Sequence, residues 1–215
     1  MDTSELKSII DNILSDAFKR IEYAYQHHCE NSPKTSHNEL TRLVFPSYAN
    51  EKTRISEQEL RFAFVEAFNA YCDENKINLF YSIETPTRKR YYFSGSDPKN
   101  VSQNERGRSA EFDLVIFDEN LKRACLIEFK AKSAKPKDYK KDLLKLYKEI
   151  EKNDCIMCYF INVFGSSRRD TLPKMKNKIK LYAEEEGFNN EENIIIGYYV
   201  LEKADKGLIP LRELI

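Results

Sequence analysis

The chain has 215 residues, with 35 basic and 35 acidic side chains, so its formal net charge is zero. Apolar residues make up 41% and charged residues 33%, a balance that supports a hydrophobic core and excludes a wholly disordered protein. Because the charges balance over the whole chain, a positively charged surface that binds a polyanion has to be confined to one region of the protein. No apolar run is long enough for a membrane span, and the N-terminus lacks a signal-peptide layout. Five cysteines, an odd number, favour a reducing compartment, and we expect a cytoplasmic protein.

The first third of the chain predicts helices. Apolar residues at helical spacing indicate a long helix over 4–28, followed by a polar loop and a short helix over 38–45. A further helix begins at Ser56, where Ser56 and Glu59 have the spacing of a capping box, and it continues to about residue 72. We treat residues 1–50 as an N-terminal helical extension and 51–215 as the main domain.

The rest of the chain predicts alternating strands and helices. Residues 87–109 are basic at both ends and are expected to be irregular, apart from a short strand at 91–93. Strands are predicted at 79–84, 111–117, 123–131, 156–164 and 194–201, and helices at 137–152 and 171–186. This order predicts an α/β fold with a mixed β-sheet flanked by helices on both faces.

Two neighbouring strands carry the residues with a chemical interpretation. A hairpin symmetric about Asn120 and Leu121 places Asp113 directly opposite Glu128, where two like charges repel unless a cation neutralises them. Lys130 lies on the same face of its strand as Glu128, because side chains alternate between faces. Two carboxylates with a backbone carbonyl and waters suit Mg²⁺, and the metal and the lysine together suit phosphodiester hydrolysis.

A structural interpretation of the same residues is that Asp113 and Glu128 face solvent or pair with lysines. Both strands are apolar on both faces, which is typical of a sheet buried on both sides. Charges in such strands are costly unless they are paired or bind a ligand, so the pattern favours a functional site.

The same residues resemble the PD-(D/E)xK nuclease superfamily, which has the restriction-endonuclease-like fold. The match consists of Asp113 in EFDLVIF and Glu128-Phe129-Lys130 in LIEFKAK, and Phe112 stands where the motif has proline. The resemblance covers residues 56–164 and implies an α-β-β-β-α-β core. It also implies a Mg²⁺ site, in which Mn²⁺ substitutes, formed by Asp113, Glu128 and the Phe129 carbonyl. A glutamate from the first core helix often completes such sites; Glu59 is favoured, with Glu66 and Glu84 as alternatives.

Two basic segments are candidates for nucleic-acid binding. One follows the site and contains Lys132, Lys135 and Lys137; the other contains Arg88, Lys89, Arg90 and Tyr91, in which an aromatic ring stands beside cations. A solvated helix face and an ordinary basic loop are the alternatives. The expected function is a Mg²⁺-dependent nuclease acting on DNA in restriction, repair or anti-phage defence, and the chain length suits a homodimer. The alternatives are an inactive nucleic-acid-binding or scaffold module and an RNA-cleaving nuclease.

Overall fold

The computed structural model describes residues 1–34, 39–94, 101–131, 135–150, 157–165, 171–188 and 193–215. Its helices are α1 (Thr3–His27), α2 (Glu57–Asn75), α3 (Pro136–Ile150) and α4 (Thr171–Glu185). Its strands are β1 (His28–Cys29), β2 (Ser32–Pro33), β3 (Phe80–Phe93), β4 (Val101–Gln103), β5 (Arg108–Phe117), β6 (Arg123–Ala131), β7 (Met157–Phe164), β8 (Ile194–Val200) and β9 (Asp205–Pro210).

The large sheet has the strand order β4-β3-β5-β6-β7-β8-β9. Pairing is antiparallel from β4 through β3 and β5 to β6. It is parallel between β6 and β7 and between β7 and β8, and β9 pairs antiparallel with β8. The parallel part arises because α3 and α4 are the crossovers between consecutive strands. The predicted mixed α/β sheet with helices on both faces is confirmed.

Each face of the sheet buries its own hydrophobic cluster. Helices α1 and α2 cover one face, and α3 and α4 cover the other. Helix α1 shares the first cluster with the sheet: the Tyr159 hydroxyl donates to Asp11 at 2.7 Å, and the Phe18 and Tyr199 rings lie 5.1 Å apart. The N-terminal helix therefore packs in the same core as α2 and the central strands.

Most predicted elements agree with the structure to within a few residues, and Ser56 and Glu59 form the predicted capping box of α2. Two predictions were wrong. Residues 39–45 form no helix, and residues 87–90, which were expected to be irregular, belong to β3, which continues to Phe93 through a register shift between Pro86 and Arg90. Strand β9 was not predicted.

No helix in the described part of the chain is long and apolar enough to cross a membrane. The described cysteines, Cys29, Cys72, Cys125 and Cys158, are buried free thiols.

Candidate active site

The site lies where β5 and β6 separate. The two strands pair from Leu114 opposite Ile127 as far as Phe117 opposite Arg123, with a register shift at the latter end. Beyond Leu114, β5 continues along β3 alone, and beyond Ile127, β6 continues along β7 alone. The predicted register is confirmed for the pairs that Leu114, Val115 and Ile116 form with β6. Asp113 and Glu128 are the next residues after the last of these pairs, so they lie on either side of the opening.

A cleft of about 370 Å³ occupies this opening. Charged side chains from five elements line it. These are Glu57 and Arg61 of α2, Arg108, Glu111 and Asp113 of β5, Glu128 and Lys130 of β6, and Lys141, Asp142 and Lys145 of α3. Glu84 of β3 also lines the cleft. Asp113, Glu128 and Lys130 are therefore brought together as the sequence predicted.

Asp113 connects the two separated strands. One carboxylate oxygen accepts a 2.8 Å hydrogen bond from the main-chain amide of Phe129, and the other accepts one of 2.8 Å from Arg61. The N–H and C=O of an extended residue point toward the same neighbouring strand, so the Phe129 carbonyl also faces the opening. Arg61 contacts Glu84 as well, at 3.2 Å.

Glu128 is buried and paired with a lysine from the opposing helix. The Lys145 ammonium donates to Glu128, to Asp142 at 2.9 Å and to the main-chain carbonyl of Glu111 at 2.7 Å. These three acceptors use all three donor positions of the ammonium group. Because Glu111 is on β5 and Glu128 on β6, Lys145 bridges the strands from above the opening.

Burial and the neighbouring charges together shift the pKa values of this cluster. Burial raises the pKa of Glu128 well above its ordinary value, and the nearby negative charges of Asp142 and Asp113 act in the same direction. For Asp142, burial is outweighed by Lys145 and Lys130, which lower its pKa to about 2. Asp142 is thus the permanently ionised partner of both lysines.

Lys130 lies between α2 and α3. Its ammonium is 2.8 Å from Asp142 and 3.3 Å from Glu57. Burial lowers the pKa of Lys130, but Asp142, Glu128 and Glu57 outweigh burial, and its pKa is raised above the ordinary lysine value. Lys130 is therefore a permanent cation and not a proton acceptor at neutral pH.

The structure places Glu59 elsewhere. Its carboxylate accepts from the Ser56 amide at 2.9 Å and from Arg54 at 2.6 Å, and it does not line the cleft, because the capping box directs it back to the start of α2. Glu66 accepts from Thr41 at 2.6 Å, away from the cleft. Of the three predicted glutamates, Glu84 alone lines the cleft. Glu57, which precedes Arg61 by one turn of α2 and also lines the cleft, was not predicted as a site residue.

The prediction for Tyr91 was wrong. Tyr91 is fully buried, stacked on Phe93 and within 3.5 Å of Glu149, so its ring cannot stack on a base. The main-chain amides of Arg88 and Lys89 also bond to the buried Glu149, which fixes the irregular part of β3 on α3.

The other predicted basic residues lie around the cleft and not in it. The side chains of Arg88 and Arg90 are exposed, and Lys89 donates to the Lys148 carbonyl. Lys135 is exposed just before α3, and Lys137 is half-buried in its first turn. Lys132 lies outside the described residues.

Several cleft residues were not predicted as site residues, notably Arg61, Asp142 and Lys145. Asp142 and Lys145 stand in α3 among buried Tyr139, Leu143 and Leu146, at spacings of three and four residues. Charged residues on the apolar stripe of a helix are the signal that was available, because such residues need buried partners.

The donor set has to be compared with what a divalent cation requires. Within the described residues, no group of three or more His, Cys, Asp or Glu side chains is arranged to hold a metal ion. Mg²⁺ in nuclease-type sites is typically held by one or two carboxylates, with waters and substrate phosphate completing its shell. Asp113, Glu128 and the Phe129 carbonyl supply hard oxygens of this kind, and Arg61 and Lys145 compete for the same carboxylates.

No protein-family model, curated protein or solved structure matches this chain. The interpretation of the cleft consequently depends on its own geometry and on the motif residues.

Proposed function

We propose that this protein is a Mg²⁺-dependent nuclease with a restriction-endonuclease-like fold that acts on DNA. The observation that carries the proposal is the separation of β5 and β6, which brings Asp113, Glu128 and Lys130 to one cleft and sets the Phe129 main chain beside Asp113. The order α2, β3, β5, β6, α3, β7, with the small edge strand β4 inserted, agrees with the α-β-β-β-α-β core that the motif implies.

Asp113, Glu128 and the Phe129 carbonyl would hold the metal, which supplies Lewis-acid polarisation of the phosphate and an activated water. Lys130 stays protonated because three carboxylates surround it. Its role is to stabilise negative charge that develops on the phosphate, and it does not accept the proton of the attacking water. Glu57 and Asp142 hold the Lys130 ammonium between α2 and α3.

A nucleic-acid-binding module without turnover is the second candidate, and one observation favours it. Every carboxylate named above is already paired with a cation of the same cleft: Asp113 with Arg61, and Glu128 with Lys145. A cluster that neutralises itself persists without any metal. We prefer the nuclease to the binding module because Lys130, the lysine of the motif, is held in the cleft by Glu57 and Asp142.

The test is a cleavage assay with duplex DNA, single-stranded DNA and RNA in Mg²⁺ or Mn²⁺. We expect cleavage by the wild type and its loss in Asp113→Asn, which retains an acceptor for the Phe129 amide. Glu119→Gln, an exposed substitution in the turn at the other end of the same hairpin, is the matched control and should cleave normally. Equal cleavage by Asp113→Asn and wild type would contradict the site. Binding of nucleic acid without cleavage in either metal would favour the module.

A further inference from the structure

The five cations of the cleft fall into two groups. Arg61, Lys130 and Lys145 each contact at least one carboxylate at 3.3 Å or less. Arg108 and Lys141 line the same cleft, and among the described residues neither has a carboxylate partner. The first group is neutralised within the protein, whereas the second presents its charge to whatever enters the cleft.

Arg108 and Lys141 both line the part of the cleft that lies nearest β4, because their neighbours Tyr91 and Phe93 pair with that strand. Arg108 pairs with Tyr91 in the β3–β5 register, so both side chains are on one face of the sheet. The Lys141 ammonium lies 5.3 Å from the centre of the Phe93 ring, and Phe93 stacks on Tyr91 at 5.8 Å. Lys141 thus lies over one ring of this stacked pair, and Arg108 is the cross-strand neighbour of the other.

This end of the cleft is built rigidly. Tyr91 is fully buried, and Val101, Ala110 and Leu144 pack around it. Gly107, just before Arg108, comes so close to β3 that an added Cβ would lie 2.2 Å from the Tyr91 carbonyl oxygen. The turn that carries Arg108 is therefore held against β3, and Arg108 is kept in position.

The distance from the motif residues indicates what these cations bind. Arg108 is five residues from Asp113 along β5, which is roughly 17 Å at the rise of an extended strand. Charges along one strand of a nucleic acid recur at about 3.4 Å of helix rise, so this span reaches several phosphates beyond the bond at Asp113. A small phosphate ester would not extend that far.

We propose that Arg108 and Lys141 form a phosphate-binding arm that holds the sugar-phosphate backbone of the substrate strand several nucleotides from the scissile bond. This inference rests on the proposed function for the identity of the substrate. The arm binds phosphate charge and not base sequence, because its described residues offer cations, and the Phe93 ring beside them is already stacked on Tyr91 and covered by Lys141. It contributes affinity, whereas Asp113, Glu128 and Lys130 contribute turnover.

The experiment measures the salt dependence of binding by fluorescence anisotropy in EDTA. The probes are a labelled 20-nucleotide DNA and an RNA of the same sequence, each tested single-stranded and as a duplex. Loss of one phosphate contact reduces the slope of log K against log salt by about 0.7–0.9. We expect such a reduction, with weaker binding to every sequence, for Arg108→Met and for Lys141→Met. Arg108→Lys should restore the slope.

Lys203→Met is the control, because Lys203 is exposed beyond β8 and does not line the cleft. Unchanged slopes in both arm variants overturn the arm, even if the wild type cleaves. If the variants show the expected slope changes but the wild type does not cleave, the phosphate-binding arm is supported and the proposed nuclease activity is contradicted. A wild type that neither binds nor cleaves any probe overturns both proposals. If cleavage is present, the arm variants should raise KM while kcat stays near that of the wild type.

Discussion

The ammonium of Lys145 on α3 contacts the carboxylate of Glu128 on β6, and neither side chain is more than 3% exposed to solvent. Lys145 also bonds to Glu111 on β5, so it spans the opening where the two strands part. One lysine of α3, a helix whose solvation was one of two interpretations of the sequence, is therefore buried in the candidate active site.

Lys145→Met should destabilise the protein strongly. Removing the ammonium leaves Glu128 and Asp142 buried with one cation fewer, and breaking a buried ion pair from one side costs about 3–5 kcal/mol. Urea denaturation measures the free energy of unfolding. Lys180→Met is the matched control, because Lys180 and Glu184 form an exposed pair at 3.7 Å on α4. Its loss should change stability by less than ~0.5 kcal/mol, and equal effects for both variants would contradict the buried bridge.

Asp113→Ala should lose more stability than Asp113→Asn. In the alanine variant the amide of Phe129 loses its 2.8 Å acceptor at the point where β5 and β6 separate. An unsatisfied buried donor costs about 1–3 kcal/mol. Asparagine keeps an acceptor, so chemical denaturation should show a smaller loss. Similar losses in the two variants would mean that the charge of Asp113, through Arg61, dominates.

Asp142→Asn should remove part of the acid sensitivity of folding. The pKa of Asp142 is lowered from 3.8 to about 2 in the folded protein. Its contribution to stability is therefore complete above pH 3.8 and is lost as the pH falls toward 2. A shift of this size corresponds to about 2 kcal/mol.

Urea denaturation of the wild type and of Asp142→Asn between pH 5 and pH 2 measures this contribution. The variant also acts on Glu128, because the negative charge of Asp142 is one of the causes that raise the pKa of Glu128. Parallel stability curves for the two proteins would contradict the assignment of Asp142 as the ionised partner of both lysines.

Glu57→Gln and Glu59→Gln should affect different properties. Glu57 contacts Lys130 at 3.3 Å, so its neutralisation should lower cleavage by roughly 10-fold, as loss of a supporting carboxylate does in metal sites. Glu59 is a cap residue paired with Arg54, and its substitution should cost ~1 kcal/mol of stability while cleavage per folded molecule is retained. Loss of cleavage in Glu59→Gln alone would restore the original sequence prediction.

Divalent metal and phosphate should bind cooperatively. A metal held by Asp113 and Glu128 would displace Arg61 and Lys145 from these carboxylates, and a phosphate would give the displaced cations a new anionic partner. We expect thymidine 5′-phosphate, which has no phosphodiester bond to cleave, to tighten Mn²⁺ binding at least about 5-fold.

Free Mn²⁺ is measured by its paramagnetic resonance signal in the presence and absence of the nucleotide. Asp113→Asn should weaken Mn²⁺ binding in both conditions. Equal Mn²⁺ affinity with and without the nucleotide would show that the cations of the cleft do not compete with the metal.

Local sequence patterns were sufficient to predict much of the sheet. The apolar runs and the polar turn between β5 and β6 predicted the register of Leu114 with Ile127, because side-chain alternation and hairpin symmetry are properties of adjacent segments. The capping box of α2 was likewise readable from Ser56 and Glu59. The same local signal misled the choice of the third acid, since the spacing that makes Glu59 a good cap also turns it away from the cleft.

The sequence by itself determined the α/β class, the two central strands and the trio of Asp113, Glu128 and Lys130. Only the tertiary structure decided the partners of that trio. Arg61 of α2, and Asp142 and Lys145 of α3, lie outside the motif strands, and they meet the trio because the two helices pack where β5 and β6 separate. Burial and charge pairing between elements depend on how whole elements pack, so the sequence alone did not decide that Lys145 is buried in ion pairs while Arg108 stays exposed.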